Sequence, residues 1–278
     1  MVQQNTDMLD GLQAAVITDA QKKVNKSKYE FDSLKMYFGE DYEVAGIKIS
    51  EPTIGDILRI GENNFYQSLS PILYNSTSIR VPLWDMGIKN WCVVKDIQVF
   101  SFLSSVPNFN KEPAKLLFKD IDIFDFKLYE IKKSSDGESE CFLRNDDLNM
   151  ILYEDDYMQI AEYIRTMLNI HPKVEKAKGK TARKWMVDED RLNALQKPNN
   201  HNSTLLSLIS ACVNHPGFKY KLQELRNVGI CEFMDSVKRL QIYEATNAIL
   251  HGRYCGFACG FADLSKVPDD QFNFMREI

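Results

Sequence analysis

Apolar and polar residues alternate with a period of two near the start of the chain, and this pattern predicts a pair of short strands. Ile47 and Ile49 alternate with polar neighbours, as one face of a half-buried strand requires. The run 43–45 lies on the other side of Gly46. We therefore predict a short hairpin or a bent strand across Gly46.

The residues that follow carry the signals of a helix start. Pro52 favours an extended conformation at Glu51, and the hydroxyl of Thr53 can cap a helix that begins at Ile54. Asp56, three residues after Thr53, occupies the second position of a capping box. Apolar residues then recur at the spacing of one helical face, which predicts about three turns of helix packed on a small sheet. These residues are Ile54, Ile57, Leu58, Gly61 and Phe65.

Further along, strand-like and helical patterns succeed one another. Helical spacing occurs at 96–104, 155–168, 204–213, 220–227 and 230–253, and strand-like runs occur at 116–118, 126–131 and 140–143. Asp136-Gly137 lies between the last two runs and is a hairpin signal. The pattern predicts an α+β fold, in which a small antiparallel sheet with packed helices is followed by a C-terminal helical bundle.

Polar and basic stretches suggest where the chain divides. We predict a flexible or docking N-terminal arm at 1–28, an α+β domain at 29–170, a basic and polar linker at 171–202, and a helical domain at 203–278. Within the linker, Met186–Gln196 has the pattern of a short helix. Trp84 and Trp91 are predicted to anchor the core of the α+β domain.

Composition narrows the class of protein. The 278 residues are 44 % hydrophobic and 26 % charged, as in ordinary globular domains. A net charge of −5 disfavours a general nucleic-acid binder. The six cysteines form no close pair, so we predict reduced thiols and an intracellular protein. The N-terminus lacks the pattern of a signal peptide, and no run reaches the roughly eighteen apolar residues that a spanning helix needs.

One cluster has the residue types of a metal site. His251, Cys255 and Cys259 would share a helical face, although zinc ligands more often come in tight pairs separated by a loop. Glycines recur at every fourth position of the same segment, at Gly252, Gly256 and Gly260. Small side chains at this spacing favour close packing against another element. We therefore predict neither a metal nor another cofactor.

Two charged stretches have structural interpretations. The basic run 173–184 could contact phosphates, but an acidic continuation at 188–190 favours a solvated linker or contact with an acidic partner. The acidic residues 154–156 stand where the next helix needs an N-terminal cap, which favours capping over a divalent ion. No phosphate loop or activated nucleophile has a recognisable motif. The sequence thus predicts a protein that is not an enzyme.

The order of segments resembles proteins encoded in the tail-morphogenesis region of phages and prophages of Gram-positive bacteria, described as tail assembly chaperones or tail proteins of unknown role. The resemblance covers most of residues 35–278. The residues that carry it are 37–66, Leu83-Trp84-Asp85 with Gly87-Ile88, 214–220, 233–239 and Gly256-Phe257.

The resemblance implies a non-catalytic protein of the host cytoplasm that binds the tape-measure protein or tail-tube subunits during tail assembly. No nucleic acid or membrane partner is expected, and homo-oligomerisation is left open. The C-terminal bundle is the expected partner-binding region, with contact residues Phe233, Val237, Leu240, Gly252, Gly256 and Gly260. The alternative is a structural component of the tail or baseplate that is retained in the virion. An enzyme is the third hypothesis.

Overall fold

The chain folds into helices packed around two small antiparallel sheets, which confirms the predicted α+β class. The computed structural model describes residues 28–132, 139–196, 203–254 and 268–276. The described residues from Ser33 onward form one compact unit. The predicted arm at 1–28 lies outside the described residues, except for Lys28.

The elements of the described chain are as follows. The strands are β1 (Tyr42–Val44), β2 (Ile47–Ile49), β3 (Lys127–Lys132), β4 (Ser139–Asn145) and β5 (Met150–Tyr153). The helices are α1 (Ser33–Tyr37), α2 (Ile54–Ile60), α3 (Glu62–Leu73), α4 (Arg80–Asp85), α5 (Asp96–Ser104), α6 (Glu154–Met167), α7 (Lys180–Gln196), α8 (Thr204–Val213) and α9 (Ile230–Tyr254).

The predicted hairpin is present, and its turn explains why the chain reverses there. Strands β1 and β2 pair antiparallel, with Val44 opposite Ile47. Ala45 and Gly46 have φ angles of 48° and 82°, the left-handed conformation that a tight hairpin turn requires. The helix start is confirmed as well, because the Asp56 N–H donates to Thr53 Oγ1 at 3.1 Å and the Thr53 N–H donates to Asp56 Oδ2 at 3.2 Å.

The sequence predicted one continuous helix from Ile54 to Phe65, but the structure has two helices separated at Gly61. Gly61, with φ of 95° and ψ of 129°, ends α2 and precedes α3. A glycine adopts this conformation without the steric cost that a side chain brings. The break lets α3 take its own direction, and Phe65 is fully buried in it.

The larger sheet has strand order β3-β4-β5. Cys141, Leu143 and Leu152 point to its inner face and are 0 % exposed, beneath α5 and α6. Strand β5 was not predicted. The expected strand at 116–118 is wrong: a 3-10 helix that includes Pro113 occupies Glu112–Leu116. The Asp136-Gly137 turn lies outside the described residues.

The helix predicted at Met186–Gln196 is present and begins earlier, at Lys180, and it packs on the rest of the fold through one buried residue, Val187. Helix α7 lies against α4, and its Val187 is 0 % exposed in a cluster with Trp84 and Trp91. The buried guanidinium of Arg80 donates to Asp190 of α7 at 2.5 Å. Ion pairing and burial therefore fix the segment that composition alone assigned to a linker.

Backbone hydrogen bonds cross the predicted domain boundary. The Ile54 N–H donates to the carbonyl of Val228 at 3.0 Å, and the Ile230 N–H donates to that of Pro52 at 3.1 Å. Thr53 and Gly229 form an isolated antiparallel bridge between these bonds. The starts of α2 and α9 are thus joined directly. We call this contact the junction.

Candidate functional site

The structure places the first three predicted contact residues on the inner side of α9. Phe233 is 0 % exposed and Val237 is 8 % exposed, while Leu240 is half-buried. Their apolar side chains are removed from water by the protein itself, which stabilises the attachment of α9. Phe233 and Val237 are therefore not available as a partner-binding surface in this fold, whereas Leu240 remains partly accessible.

Of the glycine pattern, the structure describes only Gly252. A Cβ atom added there would meet no atom of the described residues within 4 Å, so these residues do not require a glycine at this position. Gly256 and Gly260 lie outside the described residues, together with Cys255 and Cys259. His251 lies on the exposed side of α9. Across the described part of the chain, no group of three His, Cys, Asp or Glu side chains is placed to hold a metal.

At the junction, a carboxylate from the N-terminal half binds the N-terminus of α9. The Cys231 N–H donates to Glu51 Oε1 at 2.6 Å, and the Glu232 backbone also hydrogen-bonds to this carboxylate. The first amides of a helix have no partner within the helix. Gly229 precedes α9 and has no side chain that could accept from these amides, so Glu51 accepts from them instead. A Cβ atom at Gly229 would lie 2.5 Å from the Glu51 carboxyl group. A side chain at this position would therefore displace the Glu51 carboxylate from the start of α9.

Burial changes the titration of the groups around this contact. It raises the pKa of the Glu51 carboxyl, although the backbone hydrogen bonds from Cys231 oppose the shift. Burial, with the nearby Glu51 charge, also raises the pKa of the Cys231 thiol to about 11. The thiol is therefore protonated at neutral pH and is a poor nucleophile.

A second carboxylate makes the equivalent contact with α8. The Leu205 N–H donates to Glu62 Oε1 at 2.9 Å, and the Ser203 hydroxyl hydrogen-bonds to the same carboxylate. Ser203 also caps α8 itself, because its hydroxyl accepts from the Leu206 N–H at 2.8 Å. Glu62 lies in the first turn of α3, 143 residues before Leu205. Local sequence patterns carry no signal for either remote carboxylate.

The loop 214–221 runs along α9 and is fixed at both ends by glutamates of that helix. The Gly217 N–H donates to Nδ1 of His215, so Nε2 of the same ring donates to Glu244 at 3.0 Å. At the other end, Lys219 Nζ lies 3.2 Å from Glu232, and the Tyr220 hydroxyl donates to the same carboxylate. The hydrogen bond with Tyr220, together with Glu232, raises the pKa of Lys219.

Beside this loop lies a wide depression of about 530 Å³ that is open to solvent. Its lining residues are Lys219, Tyr220, Glu224, Asn227, Val228 and Glu232. Most of them carry hydrogen-bonding groups, and Lys219 and Glu232 already pair with each other. The depression can therefore receive polar groups of a bound chain.

Apolar side chains are exposed on the elements that pack against α9. Helices α1 and α8 both contact it. On α1 Leu34 is 67 % exposed and, just after it, Phe38 is 71 % exposed, while on α8 Leu206 is 64 % exposed. Helix α8 carries no charged residue along its ten positions. We use the term C-terminal surface for these exposed apolar side chains together with Tyr243 of α9 itself, which is 49 % exposed.

The predicted acidic cap is present, since Asp156 Oδ2 accepts from the Tyr153 N–H at 3.0 Å at the start of α6.

No described helix is both long and apolar enough to span a membrane. Compared with known protein families, with characterised proteins and with solved structures, the chain matches none of them.

Proposed function

We propose that the protein is a non-catalytic phage tail assembly protein, a chaperone that binds the tape-measure protein or tail-tube subunits before they are built into the tail. The proposal rests on the resemblance inferred from the sequence for residues 37–66, 214–220 and 233–239, together with the exposed apolar side chains on the helices that contact α9. We expect the protein to act in the host cytoplasm and to be absent from, or rare in, finished particles.

The positions of these segments support the proposal. Residues 37–66 contain both capping carboxylates, residues 214–220 form the loop on α9, and residues 233–239 supply the buried side of that helix. The three segments thus meet around the junction and the attachment of α9. A resemblance that includes such a contact is what proteins with a shared scaffold display, and no shared catalytic group is needed to account for it.

The C-terminal surface gives the proposed client a place to bind. A helical client exposes apolar seams before assembly, and a chaperone covers such seams with exposed apolar side chains bordered by polar groups. Leu34, Phe38 and Leu206 provide the apolar side chains. The depression lined by Lys219 and Glu232 provides polar groups near the start of α9. The surface replaces the buried residues that the sequence had suggested.

Co-expression with the tape-measure protein tests the proposal. We expect the protein to keep this client soluble and to co-purify with it. Leu206→Glu places a charge on the C-terminal surface and should reduce recovery of the client severalfold, because burying an unpaired carboxylate is costly. Ser207→Glu is the matched control, since Ser207 is exposed at the next position of α8. Failure to recover either client with the unsubstituted protein would contradict the proposal.

Purified particles distinguish the chaperone from the alternative. Quantitative mass spectrometry of finished tails should find little or none of the protein. Stoichiometric recovery in tails would instead favour a structural component of the tail or baseplate.

A further inference from the structure

The outer face of the β3-β4-β5 sheet is apolar where an exposed sheet face is ordinarily polar. Tyr129, Ile131, Ile151 and Tyr153 point to this face and are 38 %, 57 %, 42 % and 54 % exposed. Phe142 lies between them on the central strand and is half-buried. An antiparallel sheet with one face on the core normally alternates apolar and polar residues. A patch of aromatic and branched side chains on the other face is typical of an interaction site.

Strand register arranges these side chains in rows across the sheet. Tyr129 is opposite Phe142, and Phe142 is opposite Tyr153. The rings of Tyr129 and Phe142 stack with centroids 5.7 Å apart, and those of Phe142 and Tyr153 are 6.4 Å apart. The middle of the face is therefore a continuous aromatic row that crosses all three strands.

The rows on either side of the aromatic one carry opposite charges. On one side Lys127 is opposite Arg144, which gives a cationic row. On the other side Ile131 is opposite Glu140, which gives an acidic row. Arg144 also pairs with Asp146 of its own chain at 2.7 Å. Glu140 interacts within its own chain as well, so both rows retain a smaller net charge than their residues suggest.

This charge pattern is complementary to itself under one particular two-fold rotation. If the axis runs along the aromatic row, the two sheets face each other and β4 of one copy lies antiparallel over β4 of the other. Residues equally far from Phe142 then meet, so Arg144 of each copy faces Glu140 of its partner. An axis along the strands would instead bring Glu140 over Glu140 and Arg144 over Arg144.

We propose that this sheet face binds a second copy of the chain around a two-fold axis parallel to the row of Tyr129, Phe142 and Tyr153. Two-fold pairing of identical patches is the commonest form of self-association. Three strands about 4.8 Å apart, with five residues at about 3.4 Å each, span roughly 14 by 17 Å. This area is well below the roughly 800 Å² that each partner buries in a stable complex, so the dimer is weak.

Sedimentation velocity of the full chain tests the self-association. Between micromolar and near-millimolar concentration, the weight-average sedimentation coefficient should rise from that of a monomer towards that of a dimer. A coefficient that stays at the monomer value throughout this range overturns the proposal, whatever the fate of the proposed tail function.

Charge reversal tests the axis. Glu140→Arg and Arg144→Glu should each weaken the dimer about tenfold, because each places like charges opposite one another at two symmetric positions. The double variant with both substitutions should associate like the unsubstituted protein. A mixture of the two single variants should also associate, since one carries arginine at both positions and the other glutamate at both. If the charge reversals leave the affinity of the dimer unchanged, the proposed two-fold arrangement is wrong.

A matched pair at one position separates charge from lost apolar area. Under the same rotation Ile131 faces Lys127 of the partner copy. Ile131→Lys and Ile131→Glu remove the same apolar side chain, but the lysine variant should bind about fivefold more weakly than the glutamate variant. Equal affinities of the two variants count against the proposed axis. Thermal unfolding followed by circular dichroism should show that each variant remains folded, since Ile131 is exposed.

Discussion

Helices α8 and α9 both receive a glutamate from the first 62 residues at their N-termini, but they depend on it differently. Helix α8 has its own cap in Ser203, and Glu62 adds a second acceptor. Helix α9 begins after Gly229, which has no side chain, so Glu51 supplies the side-chain cap from 180 residues away. We therefore expect a remote carboxylate to contribute more to stability where no local side-chain cap exists than where one does.

Removal of Glu51 should have the largest effect. Glu51→Ala leaves the half-buried amide of Cys231 without an acceptor, which we expect to cost about 2–3 kcal/mol in the free energy of unfolding. Urea denaturation measures this loss. Glu51→Gln is the control, since it keeps an acceptor oxygen and should cost less. Equal losses for the two variants would show that the charge, and not the capping contact, is what matters.

A methyl group at Gly229 should be the next most harmful change. Gly229→Ala places Cβ 2.5 Å from the Glu51 carboxyl and should destabilise by about 2 kcal/mol through overpacking. In the Glu51→Ala background the same substitution should cost much less, because the obstructing group is gone. A double-mutant cycle measures this coupling. Additive effects would remove the close contact from the explanation of this glycine.

Removal of Glu62 should have a smaller effect than removal of Glu51. Glu62→Ala should cost about 1 kcal/mol, because Ser203 still caps α8. Combination with Ser203→Ala should cost more than the sum of the two single losses, since the N-terminus of α8 then has neither acceptor. Chemical denaturation of the three variants checks this order. If Glu62→Ala lowered the free energy of unfolding as much as Glu51→Ala, α8 and α9 would depend equally on their remote glutamates.

Thr53 provides a purely local cap for comparison. Thr53→Ala should cost about 1 kcal/mol, the usual value for an N-cap hydroxyl. Its partner Asp56 lies three residues away, so the capping box forms within one turn of chain. A denaturant midpoint equal to that of the unsubstituted protein would show that Asp56 or water replaces the hydroxyl without cost.

The smallest effect should appear in the dependence of stability on pH. The pKa of Glu51 is raised by burial, so the folded protein holds this proton more tightly than the unfolded chain does. Its contribution to stability is therefore fully present below the pKa of the unfolded chain and declines as pH rises through the folded value. Relative to Glu51→Gln, the unsubstituted protein should lose free energy of unfolding as pH rises from about 4.5 towards neutrality. A constant difference between the two proteins would contradict this assignment.

Periodicity and capping patterns predicted much of the local structure. The turn at Ala45-Gly46, the start of α2 at Thr53, and the bounds of α5 and α8 all follow from interactions within a few residues. The same patterns gave wrong predictions where one local sequence is compatible with two different backbone structures. Gly61 is tolerated inside many helices, and the apolar run at 116–118 suits a strand as well as a buried irregular segment.

The candidate site could not be predicted in the same way. The apolar spacing of Phe233 and Val237 shows that α9 has an apolar face, but a face that packs on the protein has the same spacing as one that binds a partner. The sequence also cannot show that Leu206 remains exposed on an uncharged helix. Burial depends on which elements surround a helix, and that is a property of the whole chain.

The sequence by itself determined the fold class, most helix starts and the hairpin turn, because these depend on contacts between residues a few positions apart. Tertiary structure decided that 180–196 is a packed helix, that Glu51 and Glu62 cap helices far along the chain, and that α9 buries its predicted contact residues. Each of these depends on groups that meet only when distant segments come together. Arg80 and Asp190 are 110 residues apart, so no local sequence pattern indicates that they pair. The pair forms only when α4 and α7 are in contact.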